Sequence, residues 1–217
     1  MQKTRYFLIL FIVFSILIFI QQEDELVSVF RVTEQPDVIT SGSNGMTLTV
    51  DLSFGREDVE EWISTMEKPY PLIFLDAKWI ERSPTIVEII TTKKVPVGLL
   101  GSEGEMYEES PELLTKEIKT FEQAFGKRPL WFRTVDYEFP KELKGKVWDL
   151  EMNMVSASVF WTKGKLPKVD DGDIVSTPLH QKERVSFKKL MELQKAHPYQ
   201  TIEETLFAFK TNTKTYP

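Results

Sequence analysis

Residues 46–55, MTLTVDLSFG, read as a buried strand that ends on an acid, Asp51, with Leu52 where a second acid would complete a pair. In parallel sheets the functional groups gather at the C-terminal ends of the strands, so the position of Asp51 is that of a site residue. The neighbouring Leu52 raises the possibility of a site that has lost its metal.

Downstream, short apolar runs alternate with helical patterns. A helix is expected over REDVEEWISTM (Arg56–Met66), a strand over PLIFLD (Pro71–Asp76), a helix from Pro84 in PTIVEIITTK and a strand over VPVGLL (Val95–Leu100). The segment SPELLTKEIKTFEQAFG then places Ser110 as N-cap, Pro111 at the first helical position and Gly126 at the C-terminus. Further strands are expected at PLWFR (Pro129–Arg133), KVWDL (Lys146–Leu150), NMVSAS (Asn153–Ser158) and DIVST (Asp173–Thr177), with a last helix in ERVSFKKLMELQKA. Strand and helix in this alternation imply an α/β fold with a parallel sheet, open or rolled into a barrel.

Upstream, residues 21–45 are polar and turn-rich, with EDE at 23–25, Pro36 and SGSNG at 41–45, and read as a stalk. Within it LVSVFRV (Leu26–Val32) has the pattern of a short docked strand. Residues 1–20 carry Lys3 and Arg5 ahead of an uncharged apolar run, Tyr6–Ile20, somewhat short of the ~20 residues that span a bilayer. No small-residue cleavage site follows. This is read as a retained signal anchor, the alternative being a cleaved signal peptide, with the remaining chain outside the cytoplasmic membrane.

The 217 residues suit one globular domain: 41% are hydrophobic and 28% charged. A net charge of -6 without a basic stripe argues against nucleic acid as a partner. The absence of cysteine excludes disulfides, thiolate metal sites and a Cys nucleophile. A hydrolytic zinc site needs three His, Asp or Glu ligands, and the chain has two histidines. His197 reads as a surface or capping residue and His180 as an end-of-strand side chain. Glu103, Glu105, Glu108 and Glu109 could supply an oxygen-only site, but read more simply as a solvated loop before a helix. Of the aromatics, Trp131 and Trp148 are expected in the core, and Trp161, in the VFWTKGK loop, is the best candidate for exposure, where it could stack on a sugar. The basic run KELKGK (Lys141–Lys146) is expected as a solvated loop.

In order, these segments resemble the polysaccharide deacetylases, the NodB-type carbohydrate esterases. TLTVDLSFG stands in the place of the family's T-F-D-D-G strand, and FLDAKWIERSPTIVEIITTKKVPVG resembles the stretch leading to its H-x-x-x-H strand. SPELLTKEIKTFEQAFGKRPLWFR resembles the helix and strand before R-x-P-Y, while KVWDLE and GDIVSTPLH fall at the Trp-bearing and Leu-His strands. The resemblance covers about residues 47–180, extending towards 210, and implies a distorted (β/α) barrel. It further implies an Asp-His-His triad holding a divalent metal, an Asp base and a His acid. Carried over position by position, Asp51 fills the base, Arg133 the Arg of R-x-P-Y, and His180 the acid if two residues are inserted. The metal positions fall on Leu52, Leu100 and Gly104, none of which has a donor atom, so no cofactor is expected. Asp51 is then either salt-linked to Arg133 or kept for sugar binding.

The resemblance therefore implies an anchored extracytoplasmic deacetylase-like domain (residues 46–211) with a short tail, catalytically inactive and binding a cell-envelope polysaccharide or a protein through a remnant cleft. The alternatives are an active hydrolase of N- or O-acetyl groups with substitute ligands, and a scaffold whose cleft is filled by its own side chains. Burial of Leu52 and Leu100 would favour the scaffold.

Overall fold

The computed structural model describes residues 31–55, 57–196 and 199–207. The expected anchor (1–20), the stalk up to residue 30, the tail and His197 lie outside them. Among the described residues no helix is long and apolar enough to cross a membrane.

Among the described residues, eight parallel strands form one sheet in the order β1-β6-β5-β4-β3-β2-β8-β7. They are β1 (Val38–Ile39), β2 (Met46–Leu52), β3 (Leu72–Asp76), β4 (Val97–Gly101), β5 (Trp131–Thr134), β6 (Asn153–Val155), β7 (Val159–Phe160) and β8 (Asp173–Pro178). In β2 all seven residues are buried, as expected of a strand covered on both faces. The sheet is curled. Strands β5 and β2 are three places apart, about 14 Å in a flat sheet, yet Arg133 Nη1 lies 2.8 Å from Asp51 Oδ1. A three-residue link, Ser156–Ser158, carries the chain from β6 across to β7, which pairs with β8.

The curl creates two cores. Outside the sheet, Leu48, Val50 and Leu52 of β2 and Ile73 and Leu75 of β3 pack against the helices. Inside it, Leu72, Phe74, Leu100, Trp131, Val155 and Ile174 fill a partial barrel. The helices are α1 (Glu57–Thr65), α2 (Ala77–Arg82), α3 (Pro84–Lys93), α4 (Met106–Glu109), α5 (Leu113–Phe125), α6 (Lys141–Asp149), α7 (Phe187–Ala196) and α8 (Ile202–Leu206). The last covers the N-terminal end of the barrel, where Gln200 N–H donates to Met46 O at 2.8 Å and Ile202 joins the inner core.

Four expectations are corrected. KVWDL is helical, because Leu143 and Val147, four apart, put one apolar face on the sheet; the basic run before it lies in the same helix, α6, and is not a loop. The domain starts before Met46, since Val32 N–H donates to Asn153 Oδ1, β1 pairs with β6 and Ile39 is 7% exposed, so residues 31–45 are no stalk. Ser110 closes α4, its N–H donating to Met106 O, and α5 begins later, at Leu113. Gly126 does end α5, in the left-handed region at φ 69. The short α2, capped by Asp76 accepting from Trp79 N–H at 2.8 Å, was not expected from the sequence.

Candidate functional site

Side chains alternate along β2, so Thr47, Thr49 and Asp51 point into the barrel while Leu52 points to the helices. Arg133, at the corresponding end of β5, is fully buried with Asp51. Its guanidinium lies over the Phe74 ring at 4.2 Å and ties β5 to three other strands. Nη1 donates to Asp51 Oδ1 (2.8 Å), Thr49 Oγ1 (2.8 Å) and Ser176 Oγ (3.0 Å). Nε and Nη2 donate to Val155 O (2.9 Å) and Ser156 O (2.7 Å). This is the salt link that the sequence held open for Asp51.

The other Asp51 oxygen, Oδ2, accepts from the Tyr137 hydroxyl, which also lies 2.7 Å from Ser176 Oγ. Tyr137 follows β5 in a turn closed by its own N–H on Thr134 O (3.2 Å) and takes φ 62, a left-handed conformation costly for a bulky residue. Burial, and then the charge of Asp51, push its phenol well above the usual range, so it stays a proton donor. Phe160, 45% exposed, meets its ring edge-on at 4.8 Å.

His180 does not join this network. The Leu179 N–H donates to Asp51 O at 3.2 Å, but the half-buried His180 has an Nδ1 without a partner among the described residues. Trp161, the sequence's best candidate for exposure, is 3% exposed, and the aromatic at the surface is its neighbour Phe160. Period two decides this: Phe160 is in register with Ser176, which faces the barrel mouth, so Trp161 turns to the outer core. Trp131 is core as expected, whereas Trp148 is a half-buried helix residue beneath Arg31, 4.5 Å from its ring centroid.

A divalent metal does not fit the positions that the family resemblance assigns to it. Leu52 and Leu100 are 1% and 0% exposed and belong to different cores on opposite faces of the sheet. A Cβ on Gly104 would sit 2.5 Å from Glu138 O, and the Gly104 N–H donates to the Asp136 carboxylate (3.0 and 3.2 Å). Glu103, Glu105, Glu108 and Glu109 are exposed, and no cluster of three or more His, Cys, Asp or Glu able to hold a metal occurs among the described residues.

A second polar cluster escaped the sequence reading. Glu117, on the buried face of α5, is 7% exposed and accepts from Ser102 Oγ (2.7 Å), just past β4, and from Tyr107 Oη (2.5 Å) of α4. Burial raises its pKa, against these hydrogen bonds, and the Asp76 carboxylate raises it further. The signal was available: Glu117 lies on the apolar stripe Leu114, Ile118, Phe121.

No protein-family model and no curated protein sequence matches the chain. Solved structures do. A family 4 carbohydrate esterase pseudoenzyme from Bacillus anthracis superposes with TM-score 0.61 at 18% identity, over 77% of this chain and 67% of that one. A mutant of it "with restored enzymatic activity" gives 0.62 at 19%, over 77% and 69%. The chitin deacetylase of the fungal pathogen Colletotrichum lindemuthianum gives 0.62 at 16%, over 83% and 96%. At such identities the likeness is one of architecture: the chain has the fold of the polysaccharide deacetylases.

Proposed function

We propose that this protein is a non-catalytic member of the polysaccharide deacetylase group that engages a cell-envelope polysaccharide at the C-terminal mouth of its barrel. The observation that carries the reading is the donor set. The metal that polarises an N-acetyl carbonyl and activates water has no ligands at Leu52, Leu100 and Gly104, and Asp51 is ion-paired with Arg133 instead. A pseudoenzyme among the solved structures of this fold supports it. Aromatic and hydroxyl-accepting groups at the mouth, Phe160, Asp51 and Ser176, are the chemistry of carbohydrate recognition. The apolar run 6–20 behind Lys3 and Arg5 supports a single membrane anchor with the domain outside, or secretion after cleavage.

A second reading, a structural scaffold, is favoured by the burial of Leu52 and Leu100 and by Tyr137 lying on Asp51. The active-hydrolase alternative finds no substitute ligands among the described residues. The test is metal content by plasma mass spectrometry on the full chain after exposure to Zn²⁺, Co²⁺, Mn²⁺ and Ca²⁺ and dialysis, with acetate release from an N-acetylglucosamine tetramer measured alongside. Substoichiometric metal and no acetate are expected. One metal per chain with acetate release would overturn the non-catalytic reading.

A further inference from the structure

The Tyr137 side chain lies on Asp51 and Ser176 at the C-terminal end of the barrel strands. Its hydroxyl donates a hydrogen bond to Asp51 Oδ2 and stands 2.7 Å from Ser176 Oγ, so one oxygen both donates and accepts, as a sugar hydroxyl does. Its flat ring has the Arg133 guanidinium 5.3 Å from its centroid and the exposed Phe160 ring 4.8 Å away, at 84° to it. The backbone beneath it is held independently of that side chain. Thr134 Oγ1 donates to Glu138 O (3.0 Å), Val135 N–H to Gly101 O (3.1 Å), and the Asp136 carboxylate accepts from Gly104 N–H. The loop therefore has its own anchors, and the left-handed φ of 62 suits glycine better than the tyrosine found there.

We propose that Asp51 Oδ2, Ser176 Oγ and the Phe160 face form a binding site for a hydroxyl-bearing ring, a carbohydrate, and that Tyr137 is the chain's own occupant of it. This rests on reading the mouth as a glycan site. A sugar enters when the phenol rotates out, its hydroxyl taking over the contacts to Asp51 and Ser176 while its C–H face meets Phe160. Because the competent state is the one with Tyr137 displaced, the apparent affinity of the intact chain is lowered by the fraction of time the site is open. Tyr137 acts here as an internal competitor and as no part of the sugar's binding surface.

The test is calorimetric titration of the full chain and its Y137F and Y137G variants with the N-acetylglucosamine tetramer, and of Y137G with p-cresol, the tyrosine side chain as a free molecule. Y137G is expected to bind the tetramer about tenfold or more tightly than the unaltered chain, with Y137F between them. p-Cresol is expected to raise the melting temperature of Y137G, not of the unaltered chain, and to compete with the tetramer. Equal or weaker tetramer binding by a cooperatively melting Y137G overturns the self-ligand while leaving the glycan reading standing, provided the unaltered chain binds. Absence of tetramer binding in all three proteins overturns both. Should Y137G fail to fold, Y137F decides: binding no tighter than that of the unaltered chain overturns the self-ligand.

Discussion

Two carboxylates are buried at the C-terminal end of the sheet, each capped by a tyrosine hydroxyl, yet they are held by different physics. Asp51, inside the barrel beneath Tyr137, has the Arg133 guanidinium 2.8 Å away. Glu117, on the helix side beneath Tyr107, has two hydroxyls and no ion-pair partner among the described residues. A cation at contact distance in a low-dielectric site offsets the loss of hydration, and hydroxyl donors do so only in part. The tyrosines reflect this. Tyr107 is pushed above the usual phenol range by burial and then by Glu117, and Tyr137 by burial and Asp51, the latter partly offset by Arg133. One carboxylate is thus a strut that locks strands β2, β5 and β8 together; the other is a titratable pin on a loop.

The comparison is tested most severely at Arg133. Its replacement by methionine keeps the bulk over Phe74 but leaves the Asp51 charge buried without a cation, so R133M is expected to lose about 3–5 kcal/mol of unfolding free energy in urea titrations. Neutralising the acid as well, in R133M/D51N, is expected to recover part of that loss. A double variant no more stable than R133M would show that Arg133 acts through its carbonyl contacts to Val155 and Ser156, and that the ion pair is incidental.

A smaller effect is expected at Gly104, between the two carboxylates in sequence. Added to it, a Cβ meets Glu138 O at 2.5 Å and Pro140 Cδ at 2.9 Å, so G104A is expected to cost about 1–3 kcal/mol by overpacking. A neutral G104A would mean that the Glu138 backbone yields. That result would reopen Gly104 as a place where a larger, ligating side chain could stand.

Much of this frame is written in the order of apolar runs and helical stripes. The alternation from Met46 onwards demands a parallel sheet, and Asp51 and Arg133 are acid and base at two strand ends, where a partial barrel brings them together. What the sequence hid are choices settled by tertiary contact. Nothing local distinguishes KVWDL as strand from KVWDL as helix until Leu143 is counted with Val147. Residues 31–45 look like linker because β1 is two residues long and gains its burial from β6. The inward turn of Tyr137 depends on a positive φ that a tyrosine in sequence does not announce, and the single-residue choice between Phe160 and Trp161 for the surface depends on register with β8.

The least disruptive way to separate the two carboxylates is to titrate one of them away. Glu117 is raised above its ordinary value of 4.5 in the folded protein, whereas the unfolded chain leaves it near that value. Below the ordinary value both states are protonated and the group contributes no pH dependence. As pH rises through the window up to the folded value, the unfolded chain releases its proton first, and folding is disfavoured by at most about 1.4 kcal/mol per pH unit. The substitution E117Q removes this titration while retaining an acceptor for Ser102 or Tyr107. Relative to E117Q, the unaltered chain is therefore expected to lose stability as the pH is raised from 4 towards neutrality, because other groups cancel in the difference. Urea midpoints across that range are the measurement. A difference that stays flat would show that the fold accommodates the Glu117 charge without an ion-pair partner, and the distinction between strut and pin would fail.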